Sequence, residues 1–271
     1  MMAGFFLQQR QAELVEWMDR DDCDPELLRN TYRFFPVINR FISRWKSVYN
    51  QFIRPQLQPH RNYRLLDVGS GGGDITRNIW RWAKNDGFKL EVTGIDPDPR
   101  ALEFAQAIPV PDSGSAGLHF LKTDTSELIK SGIRYDFVIC NHVLHHLPVE
   151  KTSSFLNDLA NLAEIRVICS DIERSTAGFI LFSVATLPLF PKSYIRKDGL
   201  ISIRKSFRQR ELQTIMPAGW TVIRQFPFRL LAVRDMESDP LHPQPARGTE
   251  SDPLPPQAAR GTGSHPHTPK R

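Results

Sequence analysis

Cysteine is scarce in this sequence of 271 residues, which contains only three, at Cys23, Cys140 and Cys169. Their number is odd, and no two of them form a Cys-x-x-Cys pair or combine with histidines at zinc-finger spacing. A disulfide framework of the secreted type and a structural zinc module are therefore not expected. The sequence predicts a cytoplasmic protein of a reducing compartment, without a bound metal.

Long apolar runs are missing as well. Near the N-terminus only Phe5, Phe6 and Leu7 form an apolar run, which is far shorter than the core of a signal peptide, so secretion is not expected. The longest apolar stretch, 177–191, is interrupted by Pro188 and is shorter than the roughly 20 residues that a membrane-spanning helix needs. No transmembrane segment is predicted.

Neither sign of charge dominates, because 35 Lys and Arg residues face 30 Asp and Glu residues, a formal net charge of +5. A charge this small, without clustered RNA-binding motifs, gives little support to nucleic-acid binding, and no nucleic-acid partner is expected. Hydrophobic residues make up 40% of the chain, an ordinary proportion for a globular protein. The chain is therefore expected to bury a substantial core.

The last 36 residues, 236–271, differ from the rest. They contain 8 of the 21 prolines and have no aromatic residue, no Ile and no Val, so they cannot bury enough apolar surface to fold. Two copies of a 13-residue repeat, beginning at Ser238 and Ser251, agree at 10 of 13 positions. We predict a disordered proline-rich tail.

Between residues 61 and 235, short β-rich runs alternate with helical patterns, as in parallel βαβ units. The predicted strands are Tyr63–Val68, Leu90–Ile95, Leu118–Lys122, Phe137–Cys140, Arg166–Cys169, Thr221–Phe226 and Leu230–Val233. The predicted helices are Ile75–Asn85, Pro99–Ala107, Val149–Leu162 and Gln209–Met216. The pattern predicts an α/β fold, a doubly wound sheet of about seven strands with helices on both faces, mostly parallel and ending in an antiparallel hairpin at the sheet edge.

Residues 1–60 carry an amphipathic helical pattern. It opens at Asp24-Pro25-Glu26, which has the residue types of an N-cap, a first-turn proline and an acidic first turn. Apolar residues then recur every three or four positions from Phe34 to Phe52, with Arg and Lys between them. We predict an N-terminal helical region that covers the active site. A compatible alternative is a basic helix that rests peripherally on the inner membrane surface.

A glycine-rich segment stands where the first predicted strand runs into a helix. Gly69, Gly71 and Gly73 allow a tight turn and a close approach of the backbone to a ligand. A loop at the carboxyl end of the first strand is where nucleotide-like cofactors bind.

The register of these glycines argues against a dinucleotide. The GxGxxG fingerprint that starts at Gly69 would need a third glycine where the chain has Asp74, and the next register would need one at Thr76. Acidic residues at the loop, Asp67 and Asp74, also disfavour a pyrophosphate. They suit a ligand with a positive charge.

The segment resembles motif I of the class I S-adenosylmethionine (SAM)-dependent methyltransferases, whose pattern Asp/Glu-x-Gly-x-Gly-x-Gly is matched by Asp67 and the three glycines. Acidic or amide residues end the next four predicted strands, as in the family: Asp96, Asp124, Asn141 and Asp171. The resemblance covers residues 63–171 and implies a Rossmann-like domain that binds SAM.

The resemblance also implies the residues that bind the cofactor. They are Asp67, Gly69, Gly71 and Gly73 for the methionine part of SAM, Asp96 for the ribose hydroxyls, Asp124 with Thr125 for the adenine, and Asn141 for the methionyl side of the pocket.

Three histidines, His142, His145 and His146, follow the fourth predicted strand, at the crevice of such a sheet. A histidine is suited to remove the proton of a phenolic acceptor, and His142, nearest the strand end, is the preferred base. Many family members with different substrates share the Leu-His-His-Leu pattern of the other two, so packing against the sheet is their alternative role. Methyl transfer is an in-line displacement that depends on orientation, and a base is optional.

The substrate is expected to be a small molecule. Asn141 is not followed by the Pro-Pro-aromatic motif of methyltransferases that act on amide or exocyclic nitrogen. The aromatic N-terminal helix and the apolar stretch 177–190 are either core or dimer contacts or the lining of a lipophilic acceptor site. We predict methyl transfer to an oxygen, less favourably a carbon, of a phenol, quinone precursor or polyketide, as in secondary metabolism or quinone biosynthesis. The alternatives are a non-catalytic SAM-fold scaffold, a protein or RNA methyltransferase, and a nucleotide-dependent oxidoreductase, which the missing third glycine opposes.

Overall fold

The computed structural model describes residues 7–109 and 117–236. A seven-stranded sheet with the strand order β3-β2-β1-β4-β5-β7-β6 forms its centre. The strands are β1 Asn62–Val68, β2 Lys89–Ile95, β3 Leu118–Leu121, β4 Tyr135–Asn141, β5 Ala163–Ile172, β6 Thr221–Gln225 and β7 Arg229–Asp235. Neighbours among β1 to β5 are parallel, and β7 is antiparallel to both β5 and β6. The predicted sheet is confirmed, with the hairpin at its edge.

Helices connect these strands on both faces of the sheet. Within the described residues they are α1 Pro25–Ile38, α2 Trp45–Val48, α3 Asp74–Asn85, α4 Pro99–Ala107, α5 Thr125–Ser131, α6 Val149–Leu162, α7 Thr176–Ala185, α8 Ile195–Lys205 and α9 Gln209–Ile215. The predicted helices correspond to α3, α4, α6 and α9, whereas α5, α7 and α8 were not predicted. Helix α7 is apolar along its whole length, so it lacks the alternation that reveals a helix in a sequence.

Side chains alternate between the two faces along each strand, and each face has its own core. Leu65 of β1 packs with Ile79 of α3 and with Trp45, whereas Leu66 packs on the other face with Leu128 of α5. The same alternation occurs in β4, β5 and β7. Because the central strands are covered on both faces, the carboxyl ends of the parallel strands remain as the place for a site.

The N-terminal helical region is broken rather than continuous. Asp24 caps α1 as expected, since its carboxylate accepts from two N–H groups of the first turn, at 2.8 and 3.1 Å. A π-helical turn at Asn39–Ser43 and the left-handed Arg44, with φ of 49°, then separate α1 from α2. A π turn shifts the helical phase, so Phe41 is exposed although the sequence pattern grouped it with the buried Trp45. The amphipathic pattern of the sequence did not indicate this break in the helical region.

The three cysteines are free. No helix in the described ranges combines the length and the apolar character that crossing a membrane requires. Apart from Met236, the predicted tail 236–271 and its repeat lie outside the described residues, as do Phe5 and Phe6.

Candidate functional site

The glycine-rich loop follows β1 and turns sharply into α3. Gly69, Gly71 and Gly73 have positive φ angles of 70°, 52° and 74°, which residues with a Cβ rarely adopt. A Cβ on Gly69 would lie 2.7 Å from Val143, whereas one on Gly71 would meet nothing nearer than Tyr32 at 3.9 Å. Gly71 therefore faces open space, and the backbone of the loop borders a cavity.

This cavity has a volume of about 780 Å³ and two chemically different ends. The end beside the glycine loop carries three carboxyl groups: Asp67, Asp74 and Asp96. The other end is apolar and is formed by the π-helical turn after α1, helix α7 with the loop that follows it, and the turn between β6 and β7. Its lining includes Ile38, Phe41, Ile42, Leu181, Phe182, Phe190 and Phe228. One cavity therefore offers space to a cationic polar ligand and to a lipophilic one.

Two of the carboxyl groups are positioned by the central strands. Asp67, the next-to-last residue of β1, accepts a hydrogen bond from Thr76 Oγ1 at 2.7 Å. Burial raises the pKa of Asp67 to about 7, and the charges of Asp74 and Asp96 also raise it. Asp96 directly follows β2 and accepts from the Gly71 N–H at 2.9 Å, which ties the second strand to the glycine loop. Burial raises the pKa of Asp96 as well.

Asp74, the first residue of α3, is the third carboxyl group. Asn39 Nδ2 donates to its two oxygens at 3.2 and 3.1 Å. Burial raises the pKa of Asp74 to about 6, against these hydrogen bonds. Three carboxyl groups at one end of a buried cavity create a negative potential, which favours a ligand that carries a positive charge.

His142 follows β4 with φ in the left-handed region, at 60°. Its Nε2 atom lies 2.8 Å from Arg229 Nη1 and 3.2 Å from Ser43 Oγ. Burial, and then the charge of Arg229, hold the pKa of His142 well below its usual value, so the ring is neutral at physiological pH. Because a guanidinium group only donates, Nε2 is the acceptor and the proton of the neutral ring is on Nδ1.

Arg229, at the start of β7, fixes more than one side chain of the site. Its guanidinium also donates to Asn141 Oδ1 at 2.7 Å and to Ser170 Oγ at 2.6 Å. The side chain is fully buried, and this burial lowers its pKa to about 10, so it remains charged at neutral pH. The orientations of Asn141 and His142 at the end of β4 are therefore set by one cation from a distant part of the sequence.

His145 is held between two carboxylates and is a buried cation. Its Nδ1 donates to Asp171 Oδ1 at 2.7 Å, and its Nε2 to Glu16 Oε1 at 3.2 Å. Burial alone would lower the pKa of His145, but the charges and hydrogen bonds of Asp171 and Glu16 raise it to about 9. The contact with His145 lowers the pKa of Glu16 to about 2 despite its burial. This cluster fastens the N-terminal segment to the end of β5.

His146 lies nearer the surface than His145. Its Nδ1 is 3.2 Å from Asp19 Oδ2 and 3.2 Å from Lys205 Nζ. All three predicted histidines thus line the cavity, but one is a neutral acceptor, one is an ion-paired cation and one bridges an acid and an amine. Their catalytic roles stay predictions, and the acceptor nitrogen of the neutral His142 ring, Nε2, is occupied by Arg229.

The residues expected at the adenine stand apart from the other predicted cofactor residues. Asp124 is exposed and caps α5, where its carboxylate accepts from the Glu127 N–H at 3.0 Å. Thr125 is buried in the first turn of the same helix. Neither residue is part of the described lining of the cavity. The adenine contact at Asp124 and Thr125 stays a prediction.

Several residues of the site were missed by reasoning from the sequence. Glu16, Asn39 and Ser43 come from the N-terminal region, and Arg229 comes from β7. None of them belongs to a motif. No local signal distinguishes Asn39 and Ser43 from the other polar residues of the helical pattern, and their burial in a polar network is a finding of the structure.

The His145 cluster is expected to make stability depend on pH. A raised pKa means that the charged His145 stabilises the fold fully below about pH 6.5, and that this contribution is lost as the pH rises through about 9. This rise in the pKa of His145 corresponds to about 3 kcal/mol of unfolding free energy. In urea unfolding, His145→Gln should be less stable than wild type at pH 6.5, and the difference should narrow towards pH 9.

A matched control is His119→Gln. His119 Nε2 also contacts a carboxylate, Glu91 Oε1 at 3.2 Å, but both side chains are about one-third exposed, and such pairs contribute about 0–1 kcal/mol. A difference between wild type and His145→Gln that stays constant from pH 6.5 to 9 would contradict the charged state assigned to His145.

Comparison with known protein families identifies part of the chain. Residues 65–166, from β1 into β5, match the family model of a methyltransferase domain. A ubiquinone biosynthesis O-methyltransferase of Rickettsia bellii is 29% identical over 157 residues, which are 57% of this chain and 58% of that protein. A magnesium-protoporphyrin O-methyltransferase of Synechocystis is 33% identical over 117 residues, 41% of this chain and 49% of that protein. The chain thus spans about half the length of the curated relatives it matches.

A solved structure agrees with the fold. The plantazolicin methyltransferase BpumL in complex with SAH (S-adenosylhomocysteine) has a TM-score of 0.55 with this chain. The match covers 86% of this chain and 98% of BpumL, at 14% sequence identity. At this identity the likeness concerns the fold alone, a Rossmann-like methyltransferase sheet with an antiparallel final hairpin.

Proposed function

We propose that the chain, whose residues 65–166 match a methyltransferase domain, transfers a methyl group from SAM to an oxygen of a lipophilic small molecule. Carbon is the less favoured acceptor atom. The relatives found in the comparisons are named O-methyltransferases of ubiquinone biosynthesis and of magnesium-protoporphyrin, and both names support an apolar ring system as the acceptor class.

One observation carries the proposal: a single cavity joins an acidic, glycine-lined end to an apolar end. The acidic end has the chemistry of a site for a cationic cofactor, and the apolar end has that of a site for a lipophilic acceptor. A dinucleotide oxidoreductase would not combine three carboxyl groups with the loop that approaches its pyrophosphate. An RNA substrate would need a basic groove rather than an apolar end.

The residues present fit SAM. The open space at Gly71 admits a ligand against the loop backbone. Burial raises the pKa values of Asp67 and Asp74, and a nearby ammonium or sulfonium group would stabilise their ionised forms. We assign the methionine part to Asp67 and the loop from Gly69 to Gly71, and the ribose hydroxyls to Asp96. When bound, SAM supplies a methyl group on a positively charged sulfur.

The residues of the chain orient the acceptor and control the proton of its hydroxyl group. Holding the acceptor oxygen in line with the methyl group accounts for much of the expected rate. His142 is our preferred base for the acceptor hydroxyl, since its ring is neutral and lies at the end of β4 beside Asn141. With Nε2 occupied by Arg229, proton removal requires that Arg229 release this nitrogen. Otherwise His142 orients the acceptor through a hydrogen bond from Nδ1.

The direct test is transfer of a labelled methyl group from SAM to a panel of alkylated phenols and hydroxyquinones, with short hydrophilic phenols as matched controls. Labelled product that requires the alkyl chain would support the proposal. Tight binding of SAH without any product across the panel would instead favour the non-catalytic scaffold.

The affinity for SAH is expected to rise with pH between about 5 and 8. In the free protein Asp67 and Asp74 have pKa values of about 7 and 6, so both are protonated in acid and must lose a proton before they can attract the ammonium group of SAH. Each group that ionises on binding changes the affinity by up to about tenfold per pH unit below its pKa. Calorimetric titration across this pH range measures how steeply the SAH affinity rises. The Asp74→Asn variant should lack the part of the rise that lies near pH 6. An affinity that is flat with pH would contradict the assignment.

A further inference from the structure

Large apolar side chains are exposed around the apolar end of the cavity, among them Phe41, Leu181, Val184, Leu187, Leu189 and Phe226. We call these six side chains the apolar rim. Four of them are two-thirds or more exposed, namely Phe41 and Val184 at 67%, Leu187 at 70% and Phe226 at 76%. Isolated exposed apolar residues are ordinary on protein surfaces, but a contiguous set indicates an interaction surface.

Contacts between three separate segments bring the rim together. The ring centroids of Phe34 in α1 and Phe190 in the loop after α7 lie 5.2 Å apart. Arg44 Nη1 donates to the carbonyl oxygen of Phe226 at 3.5 Å, which joins the N-terminal segment to the β6–β7 turn. A Cβ on Gly178 would lie 3.0 Å from Phe228, so α7 packs against the same turn.

The rim is also the mouth of the cavity. Phe41, Leu181 and Leu189 line the cavity and are exposed at the same time. Helix α7 has no charged residue, and only Gly178 among its ten residues is buried. A helix that is apolar on all sides is stable where protein or lipid covers it, and within the described residues no element covers the outer face of α7.

Basic side chains predominate around the rim, and Glu173, which lines the cavity beside the β6–β7 turn, is ion-paired with Arg224 at 2.6 Å. The three segments that build it, residues 27–66, 174–197 and 224–234, contain no Asp and no Glu. Exposed basic side chains stand among the apolar ones, including Arg33, Arg40 and Lys192. Basic residues next to apolar ones that enter the acyl region are the pattern of proteins that bind anionic membrane surfaces.

We propose that the apolar rim docks on an anionic lipid bilayer, with α7, Phe41 and the β6–β7 turn in the headgroup and acyl boundary. The mouth of the cavity then opens into the membrane, so a lipophilic molecule enters from the bilayer without crossing water. The N-terminal helix alone does not form this surface, since α7 and the hairpin supply most of its apolar side chains. Docking itself does not depend on the methyl-transfer reaction.

The experiment is sedimentation of the full chain with vesicles of phosphatidylcholine, with and without about 30% phosphatidylglycerol. We expect binding to the anionic vesicles and its loss at high salt. The double variant Val184→Glu with Leu187→Glu should weaken binding by at least about tenfold, because it moves two charges towards the acyl region. Arg40→Gln and Lys192→Gln should each weaken it by about fivefold.

The matched control is Val149→Glu, which introduces the same charge at a residue that is 42% exposed at the start of α6 and does not line the cavity. It should bind vesicles as wild type does.

Titration with SAH establishes that every variant is folded, since none of these residues lies at the acidic end of the cavity. Equal binding of wild type and the double variant, or no binding to either vesicle, would overturn the proposal. A dimer in light scattering that the double variant converts to a monomer would overturn it in favour of a second copy of the chain.

Discussion

Replacing Asp96 by alanine is expected to weaken SAH binding by about 10- to 150-fold, because a hydrogen bond to a charged group contributes about 1.5–3 kcal/mol. The substitution removes the carboxylate assigned to the ribose hydroxyls. It also removes the acceptor of the Gly71 N–H and of the Asp98 N–H, each at 2.9 Å, so the glycine loop loses its tie to β2. Calorimetric titration with SAH measures both effects together.

Two comparisons separate these effects. Asp96→Asn keeps an oxygen acceptor for the loop and loses the charge, so it should bind SAH with an affinity between those of wild type and Asp96→Ala. Asp22→Ala, at an exposed acid outside the described cavity lining, should not change the affinity. If Asp96→Ala is folded and binds SAH as tightly as wild type, the ribose assignment is wrong.

Replacing His142 by alanine is expected to lower the turnover number by about 10²- to 10⁴-fold, the usual effect of removing a general base. The affinity for SAH should change little, since the acidic end of the cavity does not include this ring. The check is a pair of measurements on one preparation: methyl transfer to the best acceptor of the phenol panel, and titration with SAH.

His142→Gln distinguishes the two roles open to this residue. Glutamine donates a hydrogen bond but does not accept a proton, so it should restore most of the rate if the ring only orients the acceptor. If the ring is a base, the glutamine variant should be as slow as the alanine variant. A fully active His142→Ala enzyme would eliminate both roles.

The fold was predictable because each strand is short, apolar and bounded by a turn. Alternation along β1 places Leu65 and Leu66 on opposite faces, and the same rule holds for β4, β5 and β7. Helix α7 was not predictable, since a segment that is apolar on every side has no helical period. The π turn at Asn39–Ser43 was missed for a related reason: a change of helical phase leaves the residue types of the pattern unchanged.

The acidic end of the site was equally predictable from the sequence. Asp67, Asp96 and the glycines stand at strand ends, and parallel strands bring those ends together. The environment of the histidines could not be predicted from the sequence, because it depends on residues that are distant in the chain. Asp171 and Glu16 together make His145 a cation, and burial with the charge of Arg229 keeps His142 neutral. Neither pairing follows from local spacing.

Calorimetric titration of the full chain with SAH, with NADH as a parallel titrant, is the measurement that decides whether the cavity binds SAM. We expect one SAH site of micromolar affinity and no heat of binding with NADH. Binding of NADH, or no binding of SAH by folded protein, would contradict the assignment of the acidic, glycine-lined end of the cavity to SAM.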